Sequence, residues 1–290
     1  MNNRNLEYVN CNLCGSDDAK LLYVKRGFNV VQCRKCGLVY VNPRLKVEAL
    51  KEIYTKEYYL RRGVPKYEGT TVYEDYVGME KQLKIMFRKR LIRIEKYKKG
   101  GKLLDIGCAV GFFLEVAEEK GWDAFGVEIS EWASNYARGR GLNVFTGDLM
   151  ETKFPDEYFD VVTMWSVIES LRDPYSTLIE VKRILKKNGL IVISTANINS
   201  IVARFYGINW EKWGPEGDLY CFSPETLKKM LEVTGFKIVK ITTHGDITQN
   251  KRIRRFPGYR YINWLIAKKL GLGDTMTVFA LKTRQKGSLT

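Results

Sequence analysis

From residue 101 to residue 194 the chain alternates strand-forming runs with helical stretches, and no other feature constrains its fold as tightly. Residues 102–106, 124–129, 143–146, 159–164 and 190–194 read as strands. Residues 112–120, 131–140 and 175–185 read as the helices between them. Parallel strands need a crossover of a dozen or more residues, and a helix is the usual one. The pattern therefore predicts a doubly wound α/β sheet with helices on both faces. After an irregular aromatic stretch, Ser223-Pro224-Glu225 makes a well-formed helix start and Gly235 a stop. Residues 236–242 and 276–281 then read as two closing strands.

Ahead of that domain stand Cys11-x2-Cys14 and Cys33-x2-Cys36, eighteen residues apart. Each pair aims two sulfurs at one point, and Gly15 and Gly37 permit the tight turns such knuckles need. The spacing is that of a four-thiolate zinc site. Two disulfides suit a cytosolic chain poorly, and two matched redox pairs would be superfluous. With every position a cysteine, no coordination site is left for catalysis, so the zinc is expected to be structural. Residues 1–45 are predicted to form this zinc ribbon, too small to hold together without its metal. Residues 46–99 follow as a helical, basic connector, with Leu83, Met86, Phe87, Leu91, Ile94 and Tyr97 in one apolar stripe. The main domain takes residues 100–290, with substrate-side insertions at 196–222 and 246–273.

Composition and charge narrow the class. At 290 residues, 45% apolar and 28% charged, the chain is neither disordered, collagen-like nor membrane-embedded. The first ten residues are polar and no run approaches the ~18 apolar residues of a spanning helix, so a cytoplasmic protein is expected. The net charge of +15 sits on the flanks. Residues 1–100 carry 22 basic against 11 acidic side chains and residues 246–290 carry 10 against 2, whereas the middle is slightly acidic. Such asymmetry suits an anionic partner: nucleic acid, a phosphorylated small molecule or an anionic membrane surface. A solvated, solubilising surface accounts for it equally well.

The segment Leu104-Asp105-Ile106-Gly107-Cys108-Ala109-Val110-Gly111 lies where the first strand of the sheet turns into its first helix, the crevice at which ligands sit in open α/β sheets. Gly107 and Gly111 let the backbone approach a ligand, and the helix behind them presents free N–H groups. A dinucleotide fingerprint would need glycines where Ala109 and Phe112 stand, and a Walker loop is absent. The loop resembles the first motif of class I S-adenosylmethionine-dependent methyltransferases, an acid followed by three alternate small residues. The rest of that signature follows over about 100 residues. Glu128, with Ile129 behind it, stands where the family's acid takes both ribose hydroxyls, a task that needs a two-oxygen acceptor. Asp148 and Leu149 stand where the family meets the adenine amino group and ring, and Trp165 ends the fourth strand. The resemblance implies a Rossmann-like seven-stranded methyltransferase sheet with its last strand antiparallel, and S-adenosylmethionine as cofactor. Asp105, Gly107, Cys108, Ala109, Gly111, Glu128, Ile129, Asp148, Leu149 and Trp165 are the expected cofactor residues.

With the zinc ribbon, the chain resembles methyltransferases of sugar and natural-product pathways. Two histidines expected in that broad family are replaced here by Ser170 after Glu169 and by the run Pro215 to Tyr220. Methyl transfer from a sulfonium is an in-line displacement that needs a base only if the acceptor must lose a proton. Glu169, Asp218 and Tyr220 are the catalytic candidates, with His244 farther along. A structural carboxylate or a core tyrosine is the competing reading of each. The aromatic residues of 206–222 either cap an acceptor pocket or pack over the sheet edge. The basic, aromatic segment 250–272 is a surface excursion, an interfacial helix on anionic lipid or a nucleic-acid contact. The expected activity is methyl transfer to a small anionic acceptor, such as a nucleotide- or lipid-linked sugar. An RNA methyltransferase and a non-catalytic cofactor-binding scaffold are the alternatives.

Overall fold

The structure is a computed structural model that describes residues 6–47, 54–60 and 75–283. Positions 48–53 and 61–74 of the expected connector lie outside the described residues. The ribbon contains β1 (Leu6–Glu7), β2 (Ala19–Lys25), β3 (Phe28–Cys33), β4 (Val39–Val41) and β5 (Arg44–Leu45). Lys25 pairs with Phe28 across Arg26-Gly27, and both turn residues have positive φ, 51° and 82°. Positive φ at both centres of a two-residue hairpin matches the right-handed strand twist. In the connector, α1 (Lys56–Leu60) precedes α2 (Glu80–Ile94), which buries Leu83, Phe87, Leu91 and Ile94, the stripe expected from their spacing.

The main domain runs β6 (Lys102–Ile106), α3 (Phe112–Glu118), β7 (Asp123–Glu128), α4 (Glu131–Gly139), β8 (Asn143–Thr146), β9 (Phe159–Trp165), α5 (Pro174–Ile184) and β10 (Leu185–Ala196). It continues through α6 (Ile201–Tyr206), β11 (Tyr220–Cys221), α7 (Pro224–Val233), β12 (Phe236–His244), α8 (Tyr259–Trp264) and β13 (Thr275–Lys282). Seven strands form one sheet in the order β12-β13-β10-β9-β6-β7-β8. Only β13 runs antiparallel to its neighbours, as the resemblance implied. Alternate residues serve opposite faces. Leu104, Ile106, Val162, Met164, Ile191 and Ile193 pack with residues of α5 and α7, and Leu103, Val161, Val192 and Phe279 with residues of α2 and α3. Burial on both sides is why these strands are apolar throughout. β10 starts at Leu185, earlier than position 190, because Leu185 pairs with Phe159 before a register break resumes at Leu190 with Val161.

The stretch 196–222 departs from the irregular segment read in the sequence. It contains α6, and β11 pairs antiparallel with β4, Tyr220 opposite Tyr40 and Cys221 opposite Val39. The ribbon's sheet is thereby four-stranded, in the order β11-β4-β3-β2, with its edge strand supplied from 180 residues downstream of β4. Trp210 and Trp213 are buried in one cluster with Phe28, Val30 and Val39 of the ribbon. Lys25, a ribbon residue only 6% exposed, donates from Nζ to the carbonyl oxygens of both tryptophans. The tryptophans therefore fasten the insertion to the ribbon.

Candidate active site

The turn after β6 brings three left-handed residues to the sheet's carboxyl edge. Gly107, Ala109 and Gly111 all take left-handed φ values of 68°, 50° and 86°. A Cβ on Gly107 would stand 2.4 Å from the Val167 side chain, so only glycine fits there. Ala109 adopts the same conformation with a Cβ, at a cost of roughly 1–2 kcal/mol. Gly111 is the N-cap of α3, which leaves the first N–H groups of that helix at the crevice.

Glu128, at the end of β7, faces this turn. Its Oε2 accepts the Ala109 N–H at 2.8 Å, and its Oε1 accepts the Ser130 N–H at 2.8 Å and the Tyr59 hydroxyl at 3.3 Å. Burial raises its pKa, and these three donors work against that rise. Ile129 beside it is 45% exposed, and Asp148 is exposed at the head of a short turn, its Oδ1 accepting the Met150 N–H. Leu149 is buried in the core. Asp105 turns sideways to accept the Thr163 hydroxyl at 2.6 Å, and burial lifts its carboxyl to about 8. Cys108 is buried, with its Sγ against Gly126 of the neighbouring strand. Trp165 packs edge-on against Phe113 and lies 4.4 Å beneath the Arg90 guanidinium. Arg90 thus leaves the solvated face that the charge run on α2 suggested.

A second group of polar residues lies further along the same edge. Glu169 is 5% exposed, and its Oε2 has no hydrogen-bond partner. The Asp218 carboxylate accepts the Ser170 hydroxyl at 3.2 Å and the Gly214 N–H at 3.1 Å. Burial, with repulsion from Asp218, raises the Glu169 pKa; burial also raises that of Asp218. Tyr220 is placed differently: its hydroxyl donates to the Arg172 carbonyl and accepts from Arg44, and its backbone N–H donates to the Glu169 carbonyl. His244 ends β12, where its backbone pairs with Thr275. Its Nδ1 is buried without a partner, and burial, then Lys212, Arg90, Arg93 and Lys268, lowers its pKa to about 4. Trp165 Nε1 and Thr195 Oγ1 are likewise buried and unpartnered.

Cys11, Cys14, Cys33 and Cys36 converge so that all four sulfurs lie within 4.8 Å of one another. Cys11 and Cys36 are 3.4 Å apart at Sγ, and Cys14 and Cys33 are 3.5 Å apart. A tetrahedral zinc with bonds of ~2.3 Å sets its sulfurs about 3.8 Å apart, so the donor set fits the metal. Gly15 and Gly37 take positive φ and each donates its N–H back to the first cysteine of its knuckle.

A profile of the family described as "Methyltransferase domain" matches residues 79–241, more than half of the chain. The chain belongs to that family. This methyltransferase is 27% identical, over 71% of its length and 99% of the other's, to a solved SAM-dependent methyltransferase from Archaeoglobus fulgidus, with a TM-score of 0.51. It is also 27% identical to a ubiquinone biosynthesis O-methyltransferase of Azoarcus, over 59% of this chain and 79% of that one. An uncharacterized protein of Methanocaldococcus jannaschii shares 27% identity over 58% of this chain and 80% of its own. The protein is an S-adenosylmethionine-dependent methyltransferase.

Three residues of this methyltransferase escaped the sequence reading. Tyr54, Tyr58 and Tyr59 lie over the Glu128 carboxylate: Tyr59 bonds it, Ser130 Oγ donates to the Tyr54 carbonyl, and Tyr58 packs edge-on against both other rings. Tyr59 also stacks on Trp132 of α4. The charges of Glu128, Glu169 and Asp218 all raise the pKa values of Tyr54 and Tyr58, behind burial as the main cause. These tyrosines thus lie between Glu128 and the second polar group. Three tyrosines within six residues were the available signal.

Proposed function

We propose that the methyltransferase acts on a small anionic acceptor, most simply a nucleotide- or lipid-linked sugar, bound between Tyr54, Glu169 and His244. The observation that carries this is the set of buried, unpartnered polar atoms at the carboxyl edge: Trp165 Nε1, Glu169 Oε2 and His244 Nδ1. Buried polar groups are paired in nearly all native structures, so orphans at and just beyond the ends of β9 and β12 mark a place that a ligand completes. The charges of Arg90 and Arg93 bear on His244 and contribute the positive field that an anion needs.

Glu128 would hold the ribose hydroxyls, with Gly107, Ala109 and Gly111 admitting the methionine part and Asp148 and Ile129 flanking the adenine. The cofactor supplies an electrophilic methyl on a sulfonium. The chain holds the acceptor atom in line with it, and the Glu169–Asp218 pair takes the proton that a hydroxyl or carbon acid gives up as its new bond to carbon forms. Burial, with repulsion from Asp218 on Glu169 and from Glu216 on Asp218, keeps this pair above the ordinary carboxylate range, which suits a base working near neutrality. Tyr220, with its hydroxyl engaged by Arg44 and Arg172, orients the Glu169 backbone. Zinc on Cys11, Cys14, Cys33 and Cys36 is structural in this proposal.

Calorimetric titration of S-adenosylhomocysteine, then of a nucleotide-sugar into the binary complex, tests the assignment. Glu128→Ala should abolish cofactor binding, whereas Glu169→Gln should leave it unchanged and flatten the rise of kcat with pH. Cofactor binding that survives Glu128→Ala, or a pH profile that survives Glu169→Gln, would overturn the assigned roles.

A further inference from the structure

Residues 251–270 hold seven of the exposed large apolar side chains on the described surface: Ile253, Phe256, Tyr261, Ile262, Trp264, Leu265 and Leu270. Phe256, Tyr261 and Leu270 are each more than 60% exposed. Interleaved with them are Lys251, Arg252, Arg254, Arg255, Arg260, Lys268 and Lys269, all exposed, and no acid lies between Asp246 and Asp274. Large apolar groups in one exposed patch are not what a fold needs for its own stability. The helical run 259–269 is fastened by a different face. Tyr259 and Ala267 are buried, the Tyr259 hydroxyl donates to Asp246, and the Ala267 carbonyl accepts the Thr243 hydroxyl. Asn263 donates to the Gly245 carbonyl and accepts from the Ile247 N–H. Positions 259, 263 and 267 recur every four residues and face inward, so 261, 262, 264, 265 and 268 face out. The patch continues onto α6, tied to it by Tyr206 with Thr248 and by Gln249 with the Asn209 carbonyl, where Phe205 is 80% exposed beside Arg204.

We propose that this face is an interfacial anchor that seats the methyltransferase on an anionic lipid surface. Apolar side chains would enter the headgroup boundary, Tyr261 and Trp264 would sit at its level, and the arginines and lysines would meet lipid phosphates. Among the described residues no helix is long and apolar enough to cross a membrane, so the contact lies on the surface. Two features favour lipid over other occupants. Ile253, Ile262, Leu265 and Leu270 are aliphatic and offer nothing for a nucleotide base to stack on. A second copy of the chain would bring seven cations against seven across a two-fold axis.

Co-sedimentation of the full chain with vesicles tests the proposal. One set is phosphatidylcholine alone; the other contains about one-third phosphatidylglycerol, the fraction that makes the surface anionic. The protein should partition onto the anionic set only. Phe256→Ser with Trp264→Ser, and separately Arg252→Glu with Arg255→Glu, should each weaken partition at least about tenfold. All four side chains are exposed, so circular dichroism and S-adenosylhomocysteine affinity should not change. Absence of partition at low salt, or partition that survives loss of Phe256 and Trp264, would overturn the proposal. So would tighter retention on bulk RNA that the same variants abolish, or a dimer that buries Trp264 in place of lipid.

Discussion

Asp105 offers the sharpest separation of stability from function. Its carboxyl is 2% exposed, accepts the Thr163 hydroxyl, and titrates near 8 chiefly because burial disfavours the charge. Glu128 adds to that rise, while Thr163 and Arg90 oppose it. In the unfolded chain the same group titrates near 3.8. The folded value is the higher one, so the group's contribution to stability is complete below about pH 4 and is lost as pH rises towards 8. Four orders of magnitude in proton affinity, at 1.36 kcal/mol each, set a ceiling of about 5 kcal/mol. Relaxation around a buried charge brings the expected loss to ~2–3 kcal/mol. Asp105→Asn keeps the Oδ1 acceptor for Thr163 and removes the titration. The variant should match the parent in urea melts near pH 4 and exceed it by ~2–3 kcal/mol at pH 8, a rise in Tm of about 5 °C or more. The parent should also release a proton on binding S-adenosylhomocysteine's cationic amino group near neutral pH, visible as a buffer-dependent heat, and the variant should not. A stability difference that stays constant from pH 4 to pH 8 would refute the argument.

The remaining predictions address the ribbon and the cofactor turn. Elemental analysis should find about one zinc per chain, and Cys14→Ser or a strong chelator should unfold the ribbon, whose metal contributes on the order of 10 kcal/mol. Trp210 and Trp213 would then reach water, so an unshifted tryptophan emission in metal-free protein would contradict this. Ala109→Gly should relieve the left-handed strain and, net of the extra unfolded-state entropy, raise stability by ~0.5–1 kcal/mol in urea melts. A loss of stability would mean that the Ala109 side chain makes contacts worth more than the strain.

What was legible in the sequence was what local pattern determines. The strands at 102–106 and 143–146 and the stripe from Leu83 to Ile94 depend on side-chain period alone, and they stand where that period placed them. The place of Glu128 opposite the Ala109 turn was legible because it follows from distance along one strand–helix–strand unit. β11 was not, since two residues carry no period and become a strand only by meeting β4. Lys25 counted as one more surface charge, yet it is buried under two tryptophans from the other end of the chain, which lowers its pKa to about 8. Tyr54, Tyr58 and Tyr59 reach Glu128 because residues 54–60 pack against the start of α4, a long-range contact that no local signal encodes.

The four-cysteine ribbon is joined to the second polar group by paired backbone. Cys33 ends β3, β3 pairs with β4, and β4 pairs with β11 through Tyr40 and Tyr220. The Tyr220 N–H then holds the Glu169 carbonyl at 2.9 Å, and Gly214 and Ser170 hold Asp218. A shift of the knuckles therefore reaches the proposed proton acceptors through three consecutive hydrogen-bonded strands and one further backbone bond. On the other side, Arg44 and Arg172 clamp the Tyr220 hydroxyl and Glu7 together, so β11 cannot slide independently of the ribbon. An acceptor lying between Tyr54 and His244 would be positioned by this sheet while the cofactor is positioned by the other, and alignment of methyl and acceptor becomes a matter of how the two sheets are fixed to each other. On that proposal substrate selection would lie in the ribbon and its borrowed strand, and the cofactor half would be free to keep the family's common signature.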